Sequence, residues 1–203
     1  MPPPVEIQGI TRSAFLVRSA FAVGGLYGAG AVAPVVERAL AADGAGDVGI
    51  LNFALTLERV EVAFYKQALA AGGLSSRVKR ALREIAAHEA AHAKQLTQTL
   101  QQLGAHAAPA PKTTFPALAG ENAVLSLAIQ LEETGVGAYN GAAPHIQSPD
   151  LLDAAGSIVQ VEGRHAGALR ELAGRDPSPA AFDRALSRGQ VVSAVGPFVK
   201  GGP

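Results

Sequence analysis

Apolar side chains recur every three or four residues along four stretches of the chain between residues 47 and 175. This spacing lines them up on one face of an α-helix and predicts four amphipathic helices. Residues 105–119 contain three prolines and no helical period, which indicates a long extended connection between the second and third helices. The pattern therefore predicts an all-α fold, an up-down four-helix bundle with a long crossover. Each of the four stretches is followed by glycine or proline, residues that commonly end helices: Gly72-Gly73, Gly104, Pro144 and Gly174.

Polar residues mark the predicted helix starts. Asp47 can cap the first helix, Ser75 or Ser76 the second, and Ser148-Pro149-Asp150 supplies a cap, a first-turn proline and a first-turn acid for the fourth. Residues 176–203 form a tail with a further capped start at Ser178-Pro179. We expect one or two short helices in this tail and expect it to pack over an end of the bundle.

Residues 1–46 differ in character from the bundle sequence. An apolar, glycine-containing run at residues 20–36 is followed by small residues at 39–41, the pattern of an export signal with its cleavage site. Residues 12–16 resemble a twin-arginine signal, although Ser13 stands where the second arginine belongs. We therefore expect an exported protein of the periplasm or cell envelope. A retained N-terminal anchor is the alternative, and membrane contact is expected only through this segment.

Composition narrows the function classes. The 203 residues include 17 basic and 17 acidic side chains, so zero formal charge gives no general attraction to nucleic acid. Cysteine is absent, which excludes disulfides, thiolate metal ligands and a cysteine nucleophile. The length suits one bundle domain with flanking segments. Any metal must therefore be held by oxygen and nitrogen.

A carboxylate and an imidazole three residues apart recur in the second and fourth predicted helices. The two copies are Glu89-Ala-Ala-His92 and Glu162-Gly-Arg-His165, and each follows a helix that carries a glutamate at an equivalent offset, Glu58 or Glu132. Side chains at this spacing leave one face of a helix and can bind one ion. Glutamate on two helices and Glu-x-x-His on the other two is the ligand set of a two-metal carboxylate site inside a bundle.

The physical case for metal is the cost of burying charge. Unpaired glutamates in an apolar interior cost several kcal/mol each or take up protons, and two divalent cations remove this penalty. The mixed oxygen and nitrogen shell suits iron or manganese. Tyr65 and Tyr139 follow the leading glutamates by two turns and are candidate catalytic residues, while Glu61 is either an outer-shell group or a solvated one. We assign Glu58 and His92 to one ion, Glu132 and His165 to the other, and Glu89 and Glu162 as bridges.

Residues 51–65, 89–92, 131–144 and 161–165 together resemble the ferritin-like superfamily, most closely its small exported bacterial members, which include desiccation- and stress-associated proteins. The resemblance implies two iron ions that react with dioxygen or peroxide, as in a ferroxidase or an oxidative-stress protein. Manganese in place of iron would imply catalase-like removal of peroxide. The alternative is a non-catalytic envelope protein that keeps the bundle without redox turnover. A cage-forming surface is not evident, and a homo-oligomer is left open.

A rival motif overlaps the first Glu-x-x-His unit. His88-Glu-Ala-Ala-His92 also fits H-E-x-x-H, in which both histidines bind zinc and Glu89 acts as the base of a metalloprotease. Such a protease needs a third ligand, which residues 93–104 do not supply, and a substrate-binding strand. It also leaves Glu58 and Glu132 without a role. The sequence therefore favours the two-metal bundle.

Overall fold

The computed structural model describes residues 46–200, and the predicted export signal lies outside the described residues. Within that range the fold is all-α, as predicted, and its β-type pairing is one isolated bridge between Thr113 and Val199. None of the described helices is both long enough and apolar enough to cross a membrane. The helices are α1 (Asp47–Ala70), α2 (Ser76–Gln102), α3 (Glu121–Ala142), α4 (Pro149–Leu172) and α5 (Arg188–Val195), with short 3-10 helices at Ala143–His145 and Gly196–Phe198.

Residues 103–120 connect opposite ends of the bundle. The Ser75 N–H at the start of α2 donates to the Glu121 carboxylate at the start of α3, at 2.6 Å. The chain must therefore travel the length of the bundle between the end of α2 and the start of α3. Asn52 holds this crossover against α1, because its side chain accepts from the Ala108 N–H at 2.6 Å and donates to the His106 carbonyl at 3.2 Å. The long crossover is the connection that the proline-rich sequence predicts.

Two apolar clusters fill the bundle, one toward each end. The first contains one buried residue from each bundle helix, among others: Phe64, Leu82, Leu125 and Leu169. The second contains Leu51, Leu96, Leu100, Tyr139 and Ile158. Residues near the start of α1 thus meet residues near the end of α2, which shows that α1 and α2 run antiparallel. The polar residues of the two repeats lie in the layer between the clusters.

Two of the predicted helix caps are confirmed, and one is wrong. The Ser75 and Ser148 hydroxyls accept from the N–H groups of Val78 and Leu151, at 3.3 and 3.4 Å. Asp47 does not cap α1, whose N-cap is Gly46. Its carboxylate instead accepts from the N–H groups of Gln147 and Ser148, at 2.8 and 2.9 Å. The acid therefore joins the start of α1 to the segment just before α4 and satisfies two backbone donors there.

The tail lies along the side of α3. No helix begins at Ser178-Pro179, and the predicted start there is wrong; α5 begins after Ser187, which forms a capping box with Gln190. The preceding segment is extended because its backbone bonds to α3, with the Leu186 N–H donating to the Gly137 carbonyl at 2.8 Å. Further along, Val199 reaches the first apolar cluster. The tail is therefore packed on the bundle through both backbone hydrogen bonds and buried apolar side chains.

Candidate metal centre

The four bundle helices bring all six predicted ligands into one buried layer. The Glu-x-x-His units lie on α2 and α4, and the single glutamates on α1 and α3 face them. Helical periodicity explains the arrangement, since residues three apart share a face. The exposed fractions are 1% for Glu58, 0% for Glu89, Glu132 and Glu162, and 5% for His165, while the His92 side chain is 12% exposed.

The ligand atoms form two overlapping groups, and within each group they lie within 4.8 Å of one another. Glu89 and Glu162 belong to both groups. Carboxylates shared between two groups are in position to bridge two ions, which gives the cluster the composition of a two-metal site. One group is Glu58, Glu89, His92 and Glu162, and the other is Glu89, Glu132, Glu162 and His165.

Both imidazoles turn Nδ1 toward the carboxylates. His92 Nδ1 lies 3.0 Å from Glu162 Oε1, 3.3 Å from Glu89 Oε2 and 3.4 Å from Glu58 Oε2. His165 Nδ1 lies 2.9 Å from Glu89 Oε1 and 3.1 Å from Glu132 Oε2. One N–H cannot serve three carboxylates, so His92 leaves most of this negative charge without a hydrogen-bond donor.

Several carboxylate oxygens in the layer are orphaned. Glu58 Oε2, Glu89 Oε1 and both oxygens of Glu162 are buried and have no hydrogen-bond partner. Some of them lie at ion-pair distance from a histidine nitrogen, but without the alignment that a hydrogen bond requires. A buried carboxylate oxygen without a partner is strongly unfavourable. The donor set therefore fits metal ions, which would satisfy all four atoms at once.

The two tyrosines connect the halves of the repeat. The Tyr139 hydroxyl on α3 donates to Glu58 Oε1 on α1 at 2.6 Å, and the Tyr65 hydroxyl on α1 donates to Glu132 Oε1 on α3. Each hydroxyl therefore holds the carboxylate of the opposite half and leaves that carboxylate's other oxygen directed at the cluster. Burial raises the pKa of both phenols well above the usual value, so both donate as neutral O–H groups.

Glu61, whose role the sequence left open, is a buried fifth carboxylate beside the layer. It is 4% exposed. A Cβ built on Gly135 would lie 3.2 Å from Glu61 Oε1 and 3.5 Å from Glu162 Oε2. Gly135 therefore makes room for Glu61 next to a bridging carboxylate. Burial, followed by the surrounding carboxylates, raises the pKa of Glu61 well above its ordinary value.

His88 lies outside both groups of ligand atoms. Its Nδ1 is 2.9 Å from Nε2 of His165, the ring nitrogen that faces away from the carboxylates, and the two rings stack with centroids 5.2 Å apart. The geometry speaks against the zinc-protease alternative, because His88 and His92 do not converge and the described residues contain no strand. The sequence does not predict the contact between His88 and His165, because this contact depends on how α2 packs against α4.

The charge of the cluster is balanced by protons in the metal-free protein. Burial and nearby carboxylates raise the pKa of Glu58 and of Glu162 to about 8. Burial opposes ionisation of Glu89 as well, but the close imidazoles of His165 and His92 outweigh it and lower the pKa of Glu89 to about 2. The raised pKa values of Glu58 and Glu162 mean that these carboxyls hold protons when no other cation is bound.

The histidines hold the remaining protons. Burial alone would lower their pKa, but the carboxylates of Glu162 and Glu58 raise the pKa of His92 to about 12. Glu132 and Glu89 raise the pKa of His165 to about 10 in the same way. Metal ligation requires neutral imidazoles, so a bound cation must displace these protons.

Comparisons with known proteins agree with this architecture. The sequence matches the family described as "Ferritin-like domain" over residues 46–175, which is more than half of the 203-residue chain. The fold is similar to the crystal structure of a conserved hypothetical protein, rv2844, from Mycobacterium tuberculosis, with a TM-score of 0.58, 18% identity, and coverage of 72% of this chain and 99% of that chain. No curated protein matches significantly. The chain therefore belongs to the ferritin-like domain family.

Proposed function

We propose that the buried layer binds two iron ions and that the protein is an oxidoreductase that reacts with dioxygen or peroxide, as a ferroxidase or in oxidative-stress defence. The observation that carries this proposal is the set of four orphaned carboxylate oxygens, which lie in two groups that share Glu89 and Glu162. Buried carboxylates without donors favour ions of double charge, and the mixed oxygen and nitrogen shell suits iron, with manganese as the nearest substitute.

Bound as Fe(II), the two ions would supply one electron each to dioxygen, which takes up two protons and leaves as hydrogen peroxide while both ions become Fe(III). The chain holds the ligands in place for this exchange. Tyr139 and Tyr65 fix the rotamers of Glu58 and Glu132 through one oxygen of each. The apolar clusters on both sides exclude water and keep the electrostatic interactions strong.

The neutral phenols of Tyr139 and Tyr65 are hydrogen-bonded to proposed ligands and can act as proton donors. The Tyr139 hydroxyl already donates to a ligand carboxylate, so a proton can pass through Glu58 toward the reacting oxygen without a rearrangement of the helices. Tyr65 stands in the corresponding position beside Glu132. The two tyrosines are thus the catalytic candidates of the proposal.

The test combines metal content with oxygen chemistry. The full chain is loaded anaerobically with Fe(II), the iron per chain is counted by elemental analysis, and oxygen uptake and visible absorption are followed after air is admitted. We expect two ions per chain and oxygen consumption. Glu89→Gln should lose most of both, whereas Glu84→Gln, an exposed glutamate on the same helix, should behave as the parent protein. Two bound ions without oxygen uptake would support the non-catalytic stress or desiccation role.

We also propose that the protein is exported to the cell envelope. The support is the apolar run at residues 20–36 with small residues at 39–41. N-terminal sequencing of the protein recovered from cell fractions tests this. An N-terminus near residue 42 in the envelope fraction is expected, and an intact N-terminus in the cytosol contradicts export.

A further inference from the structure

We propose that an apolar cavity next to the Glu58–His92 half of the site binds dioxygen and delivers it to the metals in preference to peroxide. This inference rests on the proposed function and adds to it the identity of the oxidant and its route. The cavity has a volume of about 40 Å³ and lies within the second apolar cluster. About 10–15 Å³ of such space accommodates one water molecule, so a diatomic molecule fits.

The cavity lies about one helical turn from one half of the site. Its lining includes Ala54, Leu96 and Ile158. Each of these residues lies four positions, or about one turn, from a proposed ligand on the same helix: Glu58, His92 and Glu162 respectively. Tyr139 also lines the cavity, and its hydroxyl donates to Glu58. A molecule in the cavity is therefore one layer away from the ligand cluster.

The lining offers little to a polar molecule. Most of it is aliphatic, and its polar groups are otherwise engaged or at the surface. The Tyr139 hydroxyl donates to Glu58, and the Thr99 hydroxyl donates to the Gln95 carbonyl at 3.0 Å. Apolar cavities of this kind stay free of water and take up apolar ligands. Hydrogen peroxide would give up its hydrogen bonds to water here without replacement, whereas dioxygen has none to lose.

The opposite side of the site is packed. Phe64, Tyr65, Leu125 and Leu169 in the first cluster are each at most 1% exposed. The near-symmetric ligand set therefore has different neighbours on its two sides. The His92 side chain is 12% exposed and that of His165 is 6% exposed, which agrees with easier access to the half that contains His92.

The cavity also reaches toward solvent. Its deep lining, Leu57 and Ile158, is 4% and 6% exposed. Its outer lining consists of the half-buried Ile50, Ile146 and Leu151. Burial thus decreases stepwise from the site to the surface between the starts of α1 and α4. Small movements of these aliphatic side chains are sufficient to admit a gas molecule.

The first test needs no metal. Crystals of the metal-free full chain are pressurised with xenon, an apolar probe of the space that dioxygen would occupy. We expect xenon between Ala54, Leu96 and Ile158, and its absence there overturns the proposal. Because this measurement does not depend on bound iron, a failure of the proposed function leaves the result interpretable.

The second test fills the cavity. Ala155→Leu adds apolar volume to the lining, and Ala86→Leu adds the same volume at a half-buried helical position that packs against the first cluster instead. In iron-loaded protein we expect Ala155→Leu to slow the reaction with dioxygen by about tenfold, with little change in the reaction with hydrogen peroxide. Ala86→Leu should leave both rates close to the parent values. Equal slowing by both variants, or of both oxidants, contradicts the proposed route, and iron content and circular dichroism confirm that each variant is folded and loaded.

Discussion

His88 and His92 lie about one turn apart on α2, yet their imidazoles have different surroundings. His92 Nδ1 faces three carboxylates, whereas His88 Nδ1 meets Nε2 of His165. A hydrogen bond to the outer nitrogen of a ligating imidazole fixes its tautomer and its ring orientation. In the proposed metal site, His88 is therefore a positioning residue that acts through His165, whereas His92 is one of the proposed ligands.

Replacing each histidine by alanine separates these roles. His88→Ala should retain two ions per chain at saturating metal and weaken metal affinity by about tenfold, the lower end of what loss of an outer partner causes. His92→Ala removes a ligand and should lose one ion even at saturation. Elemental analysis after dialysis, together with a Co(II) titration followed by absorption, distinguishes the two variants. A His88→Ala protein that binds no metal would restore the zinc-protease interpretation.

At the scale of the elements, the helical period explains why the sequence predicts so much of the site. Residues three apart on a helix share a face whatever the tertiary fold. The spacing of each Glu-x-x-His unit therefore predicts that its carboxylate and its imidazole lie on the same side of their helix. The contact of His88 with His165 depends on the packing of α2 against α4, which no local period encodes. The same holds for Asp47, whose partners lie 100 and 101 residues away.

The tail of the chain was harder to predict for a related reason. Ser178-Pro179 has the local sequence of a helix start. The backbone that follows instead bonds to α3, where the Leu186 N–H donates to the Gly137 carbonyl. Tertiary hydrogen bonds here override the local propensity. The glycines of α3 carried the available signal, because a helix interior seldom keeps Gly135, Gly137 and Gly141 unless another group approaches closely.

Gly141→Ala tests this packing. A Cβ at Gly141 would lie 1.9 Å from the Leu186 carbonyl oxygen, so the tail backbone must move away. We expect a loss of about 1–3 kcal/mol in the free energy of unfolding, despite the better helix propensity of alanine. Gly156→Ala is the matched control, because a Cβ at this glycine of α4 meets nothing within 4 Å. It should stabilise by about 0.5–1 kcal/mol. Urea denaturation measures both, and equal effects would contradict the contact.

For the whole molecule, burying the layer of acids costs free energy, which the apolar packing around it must offset. Five buried glutamates and two histidines lie between the two apolar clusters. Protons balance their charge in the metal-free state, and metal ions would balance it in the loaded state. The stability of the entire bundle is therefore linked to pH and to metal.

The direction of the pH dependence follows from the folded-state pKa values. Glu58 and Glu162 are raised from 4.5 to about 8, and His165 and His92 from 6.5 to about 10 and about 12. The native state thus holds more protons than the unfolded state, and this stabilisation is lost as the pH rises. Glu89 is lowered from 4.5 to about 2, so its contribution is lost as the pH falls through that interval.

We therefore expect the metal-free protein to be most stable at about pH 4.5 and its melting temperature to fall steadily toward about pH 9. Bound metal replaces the protons, so the loaded protein should keep its melting temperature over the same interval and bind metal more tightly as the pH rises. Calorimetric melts with and without chelator measure the difference. Glu58→Gln removes one of the titrating groups and should make the decline of the metal-free protein shallower. A melting temperature that rises between about pH 5 and pH 8 without metal would show that the buried layer is not held together by protons.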